Sequence, residues 1–254
     1  MCLHRLRLIL QAVSVLALMS GCWLSMAIAQ PANVMRLGVL EQSPPMSWKD
    51  ANGEFHGYTI DMAKAMCERL TWKCELVPSS IGQFVEDLQS DRIDIAAMSL
   101  LATKERQEKV LFARPFYTSI TVFYGPTKMK PDQPDVTVAV VKGSVQARYA
   151  QSKGWKVREV VTNAELATAV SSGQAHGMLA PMMTVISASR DPTLAAMNFS
   201  AQHIPDPELT GATSFAIGRH RPEVKTAVDK ALEFLEINGV YDQINSKYVP
   251  FSVN

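Results

Sequence analysis

Two stretches of alternating strand and helix signals, joined by a pair of β-rich crossings, restrict this chain to an α/β fold built in two lobes. In the first stretch, residues 34–40 read as a strand, Asn52-Gly53 as a turn and Thr59 as the cap of a helix running to Leu70. Residues 73–77 then read as a strand and 81–88 as a helix. The rhythm restarts at residues 136–141, a β-rich run ending in Lys142-Gly143-Ser144, with a helix to Lys153. Thr162-Asn163-Ala164-Glu165 is a capping box that opens a helix to Ser171. Residues 118–124, flanked by Pro115 and Pro126, and residues 213–217, after Pro205 and Pro207, are the crossings. Two crossings make one lobe discontinuous: residues 30–118 and 214–254 form the first, residues 119–213 the second. Helices over 222–237 and 240–246, broken at Asn238-Gly239, complete the first lobe. A ligand in such a fold lies between the lobes, at strand ends.

The first 29 residues read as a targeting segment. His4, Arg5 and Arg7 make a basic start, residues 8–18 are apolar, and Ala27-Ile28-Ala29 is a small-x-small cleavage site, the pattern of a secretory signal peptide and a periplasmic address. The alternative is lipid anchoring at Cys22 in Ser20-Gly21-Cys22, for which Met19 is a poor residue and Trp23-Leu24-Ser25-Met26 an odd tether. No later stretch is apolar for the roughly twenty residues of a bilayer span, which predicts a soluble mature chain.

With 25 Lys and Arg against 24 Asp and Glu, the formal charge is +1, and no basic cluster is interleaved with aromatics. That argues against a nucleic-acid or anionic-membrane partner and for small-molecule chemistry. Cys2 and Cys22 leave with the leader. Cys67 and Cys74 remain in an oxidising setting, where they pair or stay as two buried thiols.

The chemistry centres on one arginine. Ile93-Asp94-Ile95-Ala96-Ala97 reads as a strand feeding a short turn and a helix start that carries Arg106. A guanidinium at a strand-to-helix junction grips a carboxylate bidentately while nearby main-chain N–H groups complete the shell, which lysine does not reproduce. The turn Gly143-Ser144-Val145, at a helix N-terminus, suits an anion in its own right. There is no Gly-x-Ser-x-Gly elbow and no Gly-rich phosphate loop, and His56, His176, His203 and His220 are scattered, so neither a cofactor, a metal site nor an enzyme is expected.

The segments Gly57-Tyr58-Thr59-Ile60-Asp61-Met62-Ala63-Lys64, Leu88-Gln89-Ser90-Asp91-Arg92-Ile93-Asp94, Thr103-Lys104-Glu105-Arg106 and Phe112-Ala113-Arg114-Pro115-Phe116-Tyr117 resemble, in order and spacing, the amino-acid receptors of bacterial ABC importers. The resemblance covers nearly all of the mature chain. It implies a type II periplasmic binding protein fold, a monomer whose lobes close over a ligand, and importer membrane subunits as partners. The Cys67 and Cys74 spacing further resembles the lysine/arginine/ornithine and histidine receptors, which implies a helix-to-strand disulfide. Arg106, Gly143, Ser144 and Val145 match the family's carboxylate site.

The ammonium half departs from the family. Leu101 stands where the family has a hydroxyl, and Pro181 stands at or beside the position of its lobe-two aspartate. Burying an ammonium without acceptors costs several kcal/mol. Leu40 replaces an acid, and Ser43 and Ile81 replace two aromatic rings, which argues against lysine or arginine. Met98, Leu100 or Leu101, Ile81 and Leu40 make the expected cleft apolar, with Ser99, Gln146 and Glu41 as polar exceptions. The expected ligand is a small carboxylate with an apolar or aromatic body. Trp48 is either a cleft wall or a core cover, and Lys142 either meets a second acidic group or points to solvent. Glu41 restoring the ammonium site would instead make an ordinary amino-acid receptor. A dehydratase of cyclic acids on the same fold is the enzymatic alternative, and presentation of the ligand to a sensor rather than a transporter is another.

Overall fold

The computed structural model describes residues 34–249, so the expected leader, Cys2 and Cys22 lie outside the described residues. The chain opens with β1 (Met35–Val39), then a small three-stranded sheet of β2 (Gln42–Ser43), β3 (Ser47–Lys49) and β4 (Phe55–His56). Helix α1 (Tyr58–Leu70) follows, then β5 (Cys74–Pro78), α2 (Phe84–Gln89) and β6 (Ile95–Leu101). Next come α3 (Lys104–Gln107), β7 (Val110–Phe112) and β8 (Tyr117–Ser119).

After Ile120 the chain enters a second sheet. Its elements are β9 (Thr121–Pro126), β10 (Thr137–Val141), α4 (Val145–Ser152), β11 (Lys156–Val160), α5 (Asn163–Ser171), β12 (Gly177–Pro181), α6 (Met182–Ala188), α7 (Pro192–Ala195) and β13 (Phe199–His203). The chain then returns through β14 (Gly211–Gly218), α8 (Pro222–Ile237) and α9 (Val240–Tyr248).

The first sheet has the order β5-β1-β6-β14-β7, with β8 also on β14; the second is β11-β10-β12-β9-β13. In each sheet, parallel strands joined by helices meet the antiparallel strand that crosses between lobes: β14 lies against β6, and β9 against β12. The mixed α/β, two-lobed architecture read from the sequence is present. Gly211, Ala212 and Thr213 already pair with β8 in the first sheet, so the return crossing precedes Gly211. The two crossings are tied together where Thr121 Oγ1 donates to the Leu209 carbonyl at 2.7 Å.

The first lobe's core gathers Leu37, Ile60, Met66, Phe215 and Val228, all fully buried, between the sheet and helices α1 and α8. The second lobe buries Val122, Ala139, Leu166 and Met178. Each large side chain so buried contributes about 1.5–3 kcal/mol. Cys67 and Cys74 are bonded, with Cα atoms 6.3 Å apart, and link the end of α1 to β5.

Three local readings change. Thr59 is not a cap: Gly57 takes that place at φ 125°, and Thr59 Oγ1 donates inward to the Met46 carbonyl at 2.9 Å. A Cβ at position 57 would lie 2.4 Å from the Met46 carbonyl oxygen, so this close approach admits only glycine. The helix expected from residue 81 begins at Phe84, because Ser80 to Gln83 form a turn. The strand expected over Ile93 to Ala97 runs instead from Ile95 to Leu101, since β14 pairs with both of its ends across an irregularity between Ser214 and Ala216, and Ser99 lies within the strand.

Candidate ligand-binding cleft

The ends of β6, β10 and β12 converge between the lobes on a cavity of about 80 Å³. Arg106 is the only charged side chain among the residues that line it. Thr103 at the helix cap, φ −65° and ψ 155°, starts α3 and aims Arg106 back over the strand end. Arg106 is 4% exposed; Nη1 donates to the Leu101 carbonyl at 3.1 Å, and Nη2 donates across the cleft to the Gly143 carbonyl at 3.3 Å. It lies over the Phe84 ring at 5.2 Å. Among the described residues no carboxylate pairs with it. Burial pushes its pKa down to about 10 and the neighbouring Arg148 adds to this, while Glu105 opposes them, so it remains a cation at neutral pH.

The turn facing Arg106 presents the start of α4. Ser144 caps that helix, its Oγ accepting from the Ala147 N–H at 3.0 Å. The Ser144 N–H is spent on the Val141 carbonyl at 3.0 Å, whereas the N–H groups of Gly143, Val145 and Gln146 have no partner among the described residues, the last two opening the first turn of α4. Gly143 offers its carbonyl, also an acceptor from Arg148, rather than a wall of the cavity.

Leu40, Ser43, Ile81, Met98, Ser99, Leu101, Arg106, Ser144, Val145, Gln146 and Pro181 all line the cavity. Glu41 does not. It faces an adjoining space of about 150 Å³ at the mouth and pairs with Lys49 at 3.3 Å. Lys142 is exposed and outside both spaces. Trp48 packs on His56 and Tyr248, with ring centroids 5.8 and 6.3 Å away, and covers the first lobe.

Sequence reasoning missed Met46, Ser47, Thr59, Tyr117, Ser119, Asn163 and Thr184 as lining residues. Tyr117 and Ser119 carried a usable signal, because crossing strands between two lobes form the floor of a cleft. Asn163 carried none; its Nδ2 donates to Ser43 Oγ across the lobes at 2.6 Å, a contact 120 residues apart in sequence. The Arg148–Glu105 ion pair at 3.3 Å makes a further bridge. No group of three or more His, Cys, Asp or Glu side chains is placed to hold a metal among the described residues, nor does any described helix have the length and apolarity to cross a membrane.

Residues 35–251 match the bacterial extracellular solute-binding proteins, family 3. The lysine/arginine/ornithine-binding periplasmic protein of Escherichia coli is 29% identical over 256 aligned residues, covering 94% of this chain and 98% of the relative. Cyclohexadienyl dehydratase of Pseudomonas aeruginosa is 29% identical over a shorter stretch, 61% of this chain and 63% of that enzyme. Among solved structures, the ancestral amino acid-binding protein AncCDT-1, a precursor of cyclohexadienyl dehydratase, superposes with a TM-score of 0.75 at 28% identity, covering 85% of this chain and 95% of its own.

Proposed function

This chain belongs to the bacterial extracellular solute-binding proteins, family 3, and from that premise we propose that it is an exported, monomeric receptor which captures a small carboxylate between its lobes and delivers it to the membrane subunits of an ABC importer. The observation that carries the reading is Arg106: a buried cation, alone in its charge among the residues lining the cavity, with no carboxylate paired to it among the described residues. A ligand carboxylate neutralises it. The Val145 and Gln146 N–H groups and the Ser144 hydroxyl supply further donors.

The same charge balance selects the ligand. A monoanion makes ligand plus cavity neutral, whereas a zwitterion leaves one positive charge in a poorly solvated space, and lysine or arginine leaves two. Leu40, Ile81, Met98 and Leu101 supply apolar walls for the ligand's body. An α-amino acid is the second reading, favoured by the amino-acid ligands in the relatives' names; its ammonium would rely on neutral acceptors alone. A dehydratase reading draws on the Pseudomonas relative, but the cavity lining pairs no general acid with a base.

A thermal-shift panel separates these readings. α-Amino acids are set beside their 2-hydroxy, 2-keto and unsubstituted counterparts. A ligand at a hundred times its dissociation constant adds about 2.7 kcal/mol of stability. Stabilisation by monocarboxylates is the expected result; stabilisation by α-amino acids alone would overturn it. Turnover of a bound acid by the purified protein would move the chain to the enzymes.

A further inference from the structure

Ser99 is the one residue of β6 that is only partly buried, and it lines the cavity. Its hydrogen-bonding character is settled by a partner behind it. Ser99 Oγ lies 2.7 Å from Thr213 Oγ1, a contact in which either atom is a chemically possible donor. Thr213, 1% exposed on β14, donates its single proton to the Tyr117 carbonyl at 3.1 Å, an oxygen that can only accept. Thr213 therefore has no proton left for Ser99. Ser99 must donate to Thr213, and what its oxygen has left to offer a ligand in the cavity is lone pairs.

A second relay has the same sense. Thr121 spends its proton on the Leu209 carbonyl at 2.7 Å, so Gln146 Nε2, 2.8 Å away, is the donor between them. The amide orientation of Gln146 is thereby fixed, and its Oε1 has no protein partner among the described residues, again an acceptor at the cavity wall. Both relays end on main-chain carbonyls of the segments that cross between lobes.

We propose that Ser99, held as an acceptor by Thr213, selects ligands that carry a hydrogen-bond donor on the carbon next to the carboxylate, and that the ligand class is the 2-hydroxy monocarboxylates. The inference rests on the carboxylate reading of the Arg106 site. Arg106 is anchored on the Leu101 carbonyl, two residues or about 7 Å along β6 from Ser99, so a carboxylate on the guanidinium brings its neighbouring carbon up to the Ser99 hydroxyl. A hydroxyl there donates to Ser99. A keto oxygen there has no proton and meets lone pairs instead. An ammonium also donates, but it leaves the Arg106 charge unbalanced.

The test compares dissociation constants by isothermal titration calorimetry for chain-matched pairs of 2-hydroxy, 2-keto and 2-amino acids. The wild-type protein is expected to prefer the hydroxy acid over its keto partner at least tenfold. Thr213→Val keeps the shape and removes the acceptor, freeing the Ser99 proton; the hydroxy-to-keto ratio should collapse towards one. Ser99→Ala, which leaves the β6–β14 pairing intact, should lower hydroxy-acid affinity about tenfold and leave keto-acid affinity nearly unchanged, so the proposal stands testable should Thr213→Val fold poorly. Equal or tighter binding of the keto acid by the wild-type protein overturns the proposal, as does preference for the amino acid. If no monocarboxylate binds at all, the Arg106 reading fails as well, an outcome distinct from a wrong order among acids that do bind.

Discussion

Gly143 and Gly82 meet backbone to backbone across the cleft: a Cβ on Gly143 would stand 2.6 Å from the Gly82 Cα. Gly143 also holds φ +75°, a left-handed conformation that costs other residues about 1–2 kcal/mol. The two penalties act differently. The conformational one burdens the turn in every arrangement of the lobes, whereas the clash with Gly82 belongs to the arrangement in which they touch.

Gly143→Ala should therefore weaken ligand binding more than it weakens folding, by at least tenfold in dissociation constant, since a clash of about 1.4 kcal/mol confined to the closed state is enough. Gly82→Ala is the control, because its Cβ would meet the Lys142 carbonyl at an ordinary 3.6 Å. Calorimetric titration of both variants reads the difference; equal losses would mean that this contact does not govern closure.

Arg106→Lys keeps the charge and loses the planar fork. Each hydrogen bond to a charged group is worth about 1.5–3 kcal/mol, so carboxylate affinity should fall roughly tenfold to a hundredfold. Arg106→Met should abolish binding while leaving the ligand-free melting temperature within a few degrees of wild type. The variant gives up two bonds to carbonyls but also the desolvation that depresses the arginine pKa to about 10. A large loss of ligand-free stability in Arg106→Met would recast the arginine as a structural strut.

The parts of the site legible in the sequence are those set by local chemistry. Thr103 before Lys104-Glu105-Arg106 marks a helix start, and Ser144 after Lys142-Gly143 marks another, so Arg106 and the facing turn are visible from spacing alone. The relay behind Ser99 is not, because Thr213 lies 114 residues away and only strand pairing brings the two hydroxyls together. Thr59 misled for a related reason. A threonine near a helix start usually caps it, but here a glycine makes the close approach to Met46 and the hydroxyl is turned into the lobe. Glu41 reads as a cleft residue from its place after β1, yet Lys49 on the adjoining small sheet draws its carboxylate outward.

Breaking the Cys67–Cys74 link should cost stability without touching the cleft. The bridge closes a short loop, a sequence separation of 7, for which chain-entropy arguments give about 2–3 kcal/mol. A Cys67→Ala/Cys74→Ala double variant should melt several degrees lower while keeping its ligand dissociation constant at a temperature where it is folded. A parallel loss of affinity would tie α1 to closure of the lobes.

Asp94 gives the fold a predictable response to acid. Burial alone would raise its pKa, but the side-chain and main-chain hydrogen bonds from Arg36, with the charges of Arg221 and Arg36, outweigh it and hold the carboxyl below its ordinary value. The geometry is dense: the Arg36 main-chain N–H lies 2.7 Å from Oδ2, its Nε 3.1 Å from Oδ2 and its Nη2 3.0 Å from Oδ1, and Arg221 bonds Oδ1 as well. A depressed carboxylate pKa stabilises the folded state fully above the unfolded value of 3.8 and loses that stabilisation as pH falls from there through the folded value. Urea unfolding should thus show stability level near neutrality and falling below about pH 4. Asp94→Asn should be less stable at pH 7 by about 2–4 kcal/mol, since it leaves two arginines without their shared partner, and the gap from wild type should narrow in acid. A gap that stays constant down to pH 3 would show that the carboxylate charge contributes nothing and that only the hydrogen-bonding shape of the side chain matters.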